Sequence, residues 1–196
     1  MKKIIALLLS LTMILSLTAC TDKNESAKAA VDKALVAIVQ LDVITLSKYI
    51  DIDKLQEQQV LTDLDLDIAD ISKEELNKAK LILKNFDYEI LDSNEQVDSA
   101  LVKVKLTNQD MRKLFLQYIQ YAFEIVLSES DDEIIDQKLD AKFVELLDAD
   151  DAELVSSVIE LSLNKVEGQW KIDINESVLD AILGGLVSIA KSFDQQ

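Results

Sequence analysis

The sequence contains no histidine, no proline, one cysteine and three glycines in 196 residues. Without histidine, neither a Ser-His-Asp nor a Cys-His nucleophile system can form, and the imidazole ligands of many metal sites are missing. A single cysteine excludes an internal disulfide, so the core alone must hold the fold together. These absences remove most of the side-chain combinations on which enzymes rely.

Positive charge is also scarce, because 20 Lys and Arg residues face 37 Asp and Glu residues, for a formal net charge of −17. A domain this acidic is repelled by phosphate backbones and by anionic lipid headgroups. We therefore expect no nucleic-acid partner, and the folded domain is not expected to lie flat on a membrane surface. No cofactor motif is present, so we expect no cofactor.

The first 20 residues, MKKIIALLLSLTMILSLTAC, begin with Lys2 and Lys3 and continue with an almost unbroken apolar run over 4–17. Small residues then precede Cys20. This layout is typical of a secretory signal. A transmembrane helix fits less well, because no basic stop sequence follows the apolar run.

The tetrapeptide Leu17-Thr18-Ala19-Cys20 resembles the lipobox of bacterial lipoproteins. The resemblance implies that the Cys20 thiol carries diacylglyceryl, with acyl chains such as palmitate, and that the chain is cut before Cys20. A plain cleaved signal and an uncleaved anchor helix are the alternatives. We predict a signal peptide over 1–19, a lipidated cysteine and tether over 20–27, and one extracytoplasmic domain over 28–196, lipid-anchored at the cell membrane. The mature side chains then sum to 18 − 37 = −19, because only two lysines leave with the signal.

Apolar residues at helical spacing predict five helices, over about 28–50, 72–85, 110–127, 130–146 and 175–193. The segment 51–71 fits either a strand or irregular coil. Gly184 and Gly185 fall inside the last predicted helix, where each glycine costs about 1 kcal/mol relative to alanine. Either a close approach of another backbone offsets this cost or the helix simply tolerates it. If the helix tolerates them, replacing both glycines with alanine should stabilise the domain.

Alternating apolar residues predict two antiparallel hairpins, one pairing 86–90 with 100–107 and the other pairing 159–164 with 170–174 around a Glu167-Gly168 turn. The fold class is therefore α+β, with a curved antiparallel sheet and amphipathic helices packed on one face, after the N-terminal signal helix. The expected inward positions are all apolar: Phe86, Tyr88, Ile90, Ala100, Val102, Val104, Ile159, Leu161, Leu163, Trp170, Ile172 and Ile174.

The first helix, the segments FDYEIL and VKVKLTN, the following helix pair and the late VEGQWKIDI before a GGL-containing helix together resemble uncharacterised bacterial lipoproteins of the Gram-positive type. Their domain is similar to the cone-shaped fold of nuclear transport factor two and the cystatins. The resemblance implies an apolar cavity in the cone, but no catalytic residues. Candidates to line such a cavity, rather than an ordinary core, are Tyr88, Phe115, Tyr118, Trp170 and Phe193. Two helices between the hairpins depart from the parent fold and leave the strand order open.

The acidic residues Asp63, Asp65, Asp67 and Glu74 match the acidic positions of an EF-hand calcium loop. Ile68 stands where that loop needs glycine, so we expect a solvated acidic edge rather than a metal site. The pairs Asp131-Asp132 and Asp150-Asp151 are likewise expected to be solvated charges at helix starts and in loops.

Two kinds of function fit these observations. The first is a non-enzymatic binding module, tethered outside the cytoplasmic membrane, for a small apolar ligand or a cell-surface protein. The second is an enzyme that uses a buried carboxylate inside the cone, and the apolar inward positions disfavour it. A purely structural or immunity-type surface lipoprotein differs from the first only in lacking a ligand.

Overall fold

The computed structural model describes residues 25–51 and 73–194. The predicted signal peptide, Cys20 and the segment 52–72 lie outside the described residues. The described elements are α1 (Ala27–Gln40), α2 (Val43–Tyr49), α3 (Lys73–Ile82), β1 (Asp87–Glu95), β2 (Ser99–Gln109), α4 (Met111–Ser128), α5 (Asp132–Leu147), β3 (Leu154–Val166), β4 (Gln169–Ile172), α6 (Glu176–Ile182) and α7 (Leu186–Asp194).

The four strands form one antiparallel sheet in the order β1-β2-β3-β4. Both predicted hairpins are confirmed, and the helix pair α4–α5 connects them. The long central pair runs from Ser99 opposite Asn164 to Gln109 opposite Leu154. The sheet is open, because β1 and β4 each pair with a single strand in the described residues. The cone-shaped fold that the sequence resemblance implies is not confirmed.

The first strand is longer than the predicted segment 86–90, because β1 continues to Glu95. Ile90 pairs with Val104 and Asp92 with Lys103, so Leu91 is an extra residue in a β-bulge. Because of this extra residue, the side chains after Leu91 face the opposite side of the sheet from the one that strict alternation would give. The polar residues 92–95 remain paired with β2. The turn of this hairpin therefore lies at 96–98.

The main core lies between one face of the sheet and the helices α1, α2 and α6. The predicted inward positions are buried or half-buried in it, which confirms the register. The opposite face of the central strands is exposed and carries Lys103, Lys105 and Glu160. The α+β architecture with helices packed on one sheet face is therefore confirmed.

The predicted single helix over 28–50 is in fact two helices. The first helix, α1, ends at Leu41, which adopts a left-handed conformation with φ of 53° and donates its N–H to the last carbonyls of α1. The Asp42 carboxylate then accepts a 3.0 Å hydrogen bond from the Thr45 amide and starts α2. An Asp at this position is a strong N-cap, which favours a new helix over continuation of the old one.

The predicted last helix is also broken, and the break lies at Gly184 and Gly185. Their φ angles are +61° and +92°, a conformation that glycine adopts far more readily than other residues. A Cβ on Gly184 would overlap the carbonyl oxygen of Gln109. The interpretation as glycines within a continuous helix was wrong. The close approach of the Gln109 backbone explains Gly184, whereas Gly185 lies against the Arg112 side chain.

A second, smaller core lies beyond the end of β2, where Met111, Leu114 and Leu147 are buried between α3, α4, α5 and α7. Asp110 starts α4, as predicted, through a hydrogen bond from the Arg112 amide. Asp131 is the N-cap of α5, so this helix begins two residues after the predicted start at 130. Over the described ranges, no helix is both long and apolar enough to cross a membrane.

Candidate functional site

The sheet separates two ends of the molecule. At the tether end lie the start of α1, the turn at 96–98 and the Glu167-Gly168 turn. At the distal end lie the last residues of β2, the first residues of β3 and the helix pair α4–α5. Since β2 has 11 residues, the two ends of the sheet are roughly 35 Å apart at about 3.3 Å per residue.

The first described residue is firmly held at the tether end. The indole Nε1 of Trp170 donates a 2.9 Å hydrogen bond to the carbonyl oxygen of Glu25. The Glu25 carboxylate pairs with Lys33 at 2.7 Å and accepts a 3.2 Å hydrogen bond from the Tyr49 hydroxyl. These contacts raise the pKa of Lys33, through its hydrogen bond and charge interaction with Glu25. The chain therefore enters the domain at a fixed point.

Two buried polar residues end β2 at the distal end. The Asn108 side chain is 1% exposed and donates a 2.8 Å hydrogen bond to the carbonyl oxygen of Ile182. The Gln109 side chain donates a 2.9 Å hydrogen bond to the carbonyl oxygen of Leu146, while its Oε1 is buried without a partner in the described residues. The end of the strand is thus tied to both α5 and α6.

Asp110 fixes the start of α4 beside them. Its amide donates a 2.7 Å hydrogen bond to the carbonyl oxygen of Glu153, and its carboxylate accepts 3.1 Å hydrogen bonds from the amide and the Nε of Arg112. Burial raises the pKa of Asp110, but the hydrogen bonds and charge of Arg112 outweigh it, so the net pKa lies below its ordinary value. The carboxylate is consequently held ionised at neutral pH.

A cleft of about 680 Å³, which we call the distal cleft, opens between α4, α5 and the loop before β3. Gln109, Leu114 and Leu146 lie at its inner side, and charged side chains dominate the rest. Its remaining lining residues are Asp110, Lys113, Gln117, Lys142, Glu145, Asp148, Ala149, Asp150, Asp151, Ala152 and Glu153. The size falls within the range of small-molecule sites, about 300 to 1,000 Å³.

Ion pairs surround the distal cleft. Lys142 contacts Glu145 at 2.7 Å, and Lys113 contacts Glu153. Lys84 contacts Asp148 at 2.6 Å, and this hydrogen bond raises the pKa of Lys84. The lining offers hydrogen-bonding and charged groups but holds no hydroxyl, thiol or imidazole.

Two of the predicted cavity residues lie in the main core instead of at the distal cleft. Trp170 is buried, and the Lys165 ammonium lies 4.3 Å from the centre of its ring. Tyr88 is half-buried, and its hydroxyl donates a 2.8 Å hydrogen bond to Asp32. Burial, followed by this hydrogen bond, raises the pKa of Tyr88 to about 12.

The other predicted cavity residues lie on the helices. Phe115 and Tyr118 on α4 have ring centres 6.1 Å apart. The Tyr118 ring packs edge-to-face against Phe143 of α5, with 5.7 Å between the ring centres. Phe193 belongs to the last turn of α7. The structure therefore places Trp170 and Tyr88 in one cluster and Phe115 and Tyr118 in another.

The acidic metal candidates Asp63, Asp65 and Asp67 lie outside the described residues, whereas Glu74 lies in the first turn of α3. Across residues 25–51 and 73–194, no group of three or more His, Cys, Asp or Glu side chains is arranged to hold a metal ion.

Sequence reasoning missed two features of the distal end. The distal cleft could have been suspected from the polar pair Asn108-Gln109 at the end of an otherwise alternating strand, and from the acidic loop 148–153. The second feature is an exposed apolar row on α4. We call it the outer stripe, and it consists of Leu116 (70% exposed), Phe123 (68%), Val126 (57%) and Leu127 (87%).

No known protein-family model matches the chain, and no curated protein matches it in sequence. Among solved structures, it is similar to a candidate lipoprotein, ycdA, of Bacillus subtilis, with 17% identity and a TM-score of 0.48. The match covers 85% of this chain and 57% of the Bacillus protein, so the chain spans little more than half of that protein's length. A likeness of this strength does not establish a shared fold.

Proposed function

We propose that the chain is an extracytoplasmic lipoprotein, held at the outer face of the cell membrane by lipid on Cys20. We further propose that it acts as a non-enzymatic module that binds a small ligand or a cell-surface protein. The observation that carries this proposal is the N-terminal pattern of two lysines, an apolar run and the lipobox-like Leu17-Thr18-Ala19-Cys20.

The position of Glu25 supports the anchoring role. Five residue steps separate Cys20 from Glu25, which is a reach of at most ~18 Å at ~3.5 Å per residue. Because Glu25 is bound at the tether end of the sheet, a lipid on Cys20 would keep that end near the bilayer. The distal cleft would then face away from the membrane and be open to ligands.

The chemistry of the interior supports binding over catalysis. The inward strand positions are apolar, so no carboxylate of the described strands lies inside the main core. The distal cleft has many charged groups, but, against the effect of burial, Arg112 lowers the pKa of its one shielded carboxylate, Asp110. The other carboxylates of the cleft are solvent-exposed, and several pair with lysines. General acid-base catalysis needs a group with a perturbed pKa in a shaped, dry site. The cleft is better suited to recognising a polar ligand.

The binding role can be tested by native mass spectrometry of the protein purified from the membranes of its own cells. We expect a bound species on the wild type. Ala152→Trp, which fills the distal cleft, should lose that species, whereas Ser162→Trp on the exposed sheet face should keep it. A protein that carries nothing, or that keeps its ligand in the Ala152→Trp variant, would contradict binding at the distal cleft.

A further inference from the structure

Helix α4 has two apolar faces. Its inner face supplies Met111 and Leu114 to the second core and Tyr118 to the contact with α5. Its outer stripe is more than half exposed at every member. A helix that is apolar on all sides is normally buried, and a contiguous exposed apolar patch marks an interaction surface.

The outer stripe has the spacing of a helix-pairing seam. Leu116, Phe123 and Val126, together with the half-buried Ile119, follow one another in steps of three, four and three residues. This is the a and d pattern of a heptad repeat, which places one apolar row against a facing helix. The occupant best matched to the stripe is therefore another helix with the same spacing.

Charge indicates that this helix is α4 of a second copy. In a chain with a net charge of −17, α4 carries only Arg112, Lys113 and Glu124 among its 18 residues. Two copies can therefore approach through α4 with less repulsion than through the acidic remainder of the surface. In an antiparallel pair that matches Leu116 with Val126, Arg112 and Lys113 of one copy lie opposite residues 129–130 of the other, where the chain is acidic (Glu129 and Asp131).

We propose that the outer stripe of α4 packs antiparallel against the outer stripe of a second copy, with the two-fold axis midway between Leu116 and Val126 and therefore beside Gln120. Four exposed side chains of roughly 130 Å² each would bury about 1,000 Å² over the two copies, which is near the lower limit for a specific interface. Lipid anchoring, if the proposed function holds, confines the copies to one plane and raises their effective concentration.

Cysteine crosslinking in membranes from cells that make the full chain tests the geometry. Gln120→Cys, beside the axis, should form a disulfide with itself under mild oxidation. Leu116→Cys alone should not, because its two copies would stand ~15 Å apart at 1.5 Å per helical residue. Leu116→Cys expressed together with Val126→Cys should form the mixed dimer, and Ser162→Cys on the sheet face is the matched exposed control.

The results separate the possible arrangements. A self-disulfide at every position of α4 would contradict antiparallel pairing, and a monomeric Gln120→Cys variant would contradict pairing altogether. A crosslink from position 120 to a different polypeptide would assign the stripe to another protein and overturn the proposal. A disulfide in the wild type would instead reveal a free Cys20 thiol, and therefore a failure of the lipid anchor and not of the stripe.

A second measurement uses the detergent-solubilised full chain. Sedimentation should show a dimer for the wild type, and Phe123→Glu should lower the dimer association constant about tenfold or more. Phe123 is 68% exposed, so the substitution should leave the fold intact. Val97→Glu, at an 81% exposed valine in the turn after β1, should leave the dimer unchanged. Equal sedimentation of the Phe123→Glu variant and the wild type would overturn the proposal.

Discussion

The backbone amide of Met111 donates a 2.9 Å hydrogen bond to the carbonyl oxygen of Gly184. This contact joins the first residue of α4 to the break between α6 and α7. The same approach places the carbonyl of Gln109 where a side chain at position 184 would begin. Gly184 is therefore required at this point for space as well as for its backbone conformation.

Gly184→Ala should strongly destabilise the domain, by about 3 kcal/mol or more, since overpacking and a left-handed alanine both oppose the native state. Gly168→Ala is the matched control, because Gly168 also has a positive φ, +82°, but has open space around its Cβ position. Gly168→Ala should lower the free energy of unfolding by only about 1 to 2 kcal/mol. Urea unfolding of both variants measures the difference, and equal losses would show that the Gln109 carbonyl does not set the requirement.

Asn108→Ala should lower the free energy of unfolding by about 2 kcal/mol. The substitution leaves the Ile182 carbonyl and the Gln109 amide without side-chain partners in a buried place. Asn164→Ala, on the exposed face of β3, should change stability by less than about 0.5 kcal/mol. Urea unfolding of both variants measures the difference. If both variants unfold at the same urea concentration, the Asn108 hydrogen bonds do not stabilise the domain as proposed.

Tyr88 should titrate with a pKa of about 12, because burial and the hydrogen bond to Asp32 favour its neutral form. A raised pKa means that the folded state binds the proton more tightly than the unfolded state, whose tyrosines titrate near pH 10. This contribution to stability is complete below about pH 10 and is lost as the pH rises towards 12. Ultraviolet titration of the wild type and of Tyr88→Phe measures the pKa of Tyr88. If the Tyr88→Phe variant instead lost a transition near pH 10, the raised pKa would not belong to Tyr88.

The orientation on the membrane follows from the fixed position of Glu25. A fluorophore on a Val97→Cys variant, at the tether end, should be quenched by spin-labelled lipid headgroups. The same fluorophore on an Asp151→Cys variant, at the distal cleft, should be quenched far less. The opposite order, or equal quenching, would mean that the bound N-terminal residues do not orient the domain.

The hairpins and most helices were predictable because their signals are local. The alternation around Val102 and Leu161 and the Glu167-Gly168 turn are short-range patterns, and the structure keeps them. The breaks at Leu41 and Gly184 were not predictable from periodicity. Leu41 adopts a conformation unusual for leucine, and the Gly184 break depends on the Gln109 carbonyl, which is distant in sequence.

The distal cleft was missed for a similar reason. The residues that line it come from the end of β2, from both helices of the α4–α5 pair and from the loop before β3. No sequence pattern predicts that these segments meet, because their contact depends on the pairing of β2 with β3, which the sequence did not determine. The outer stripe of α4 was missed because one apolar face was sufficient to explain the helix. The structure shows that α5 covers only one apolar face of α4 and leaves the outer stripe exposed.

The central claim is the lipid on Cys20, and intact mass spectrometry of the protein from fractionated cells tests it most directly. The proposal predicts a membrane-bound chain that begins at Cys20 and carries the added mass of diacylglyceryl and acyl groups, and a Cys20→Ala variant that lacks this mass. An unmodified chain of all 196 residues in the cytosol, or an unmodified cleaved chain outside the cell, would contradict it.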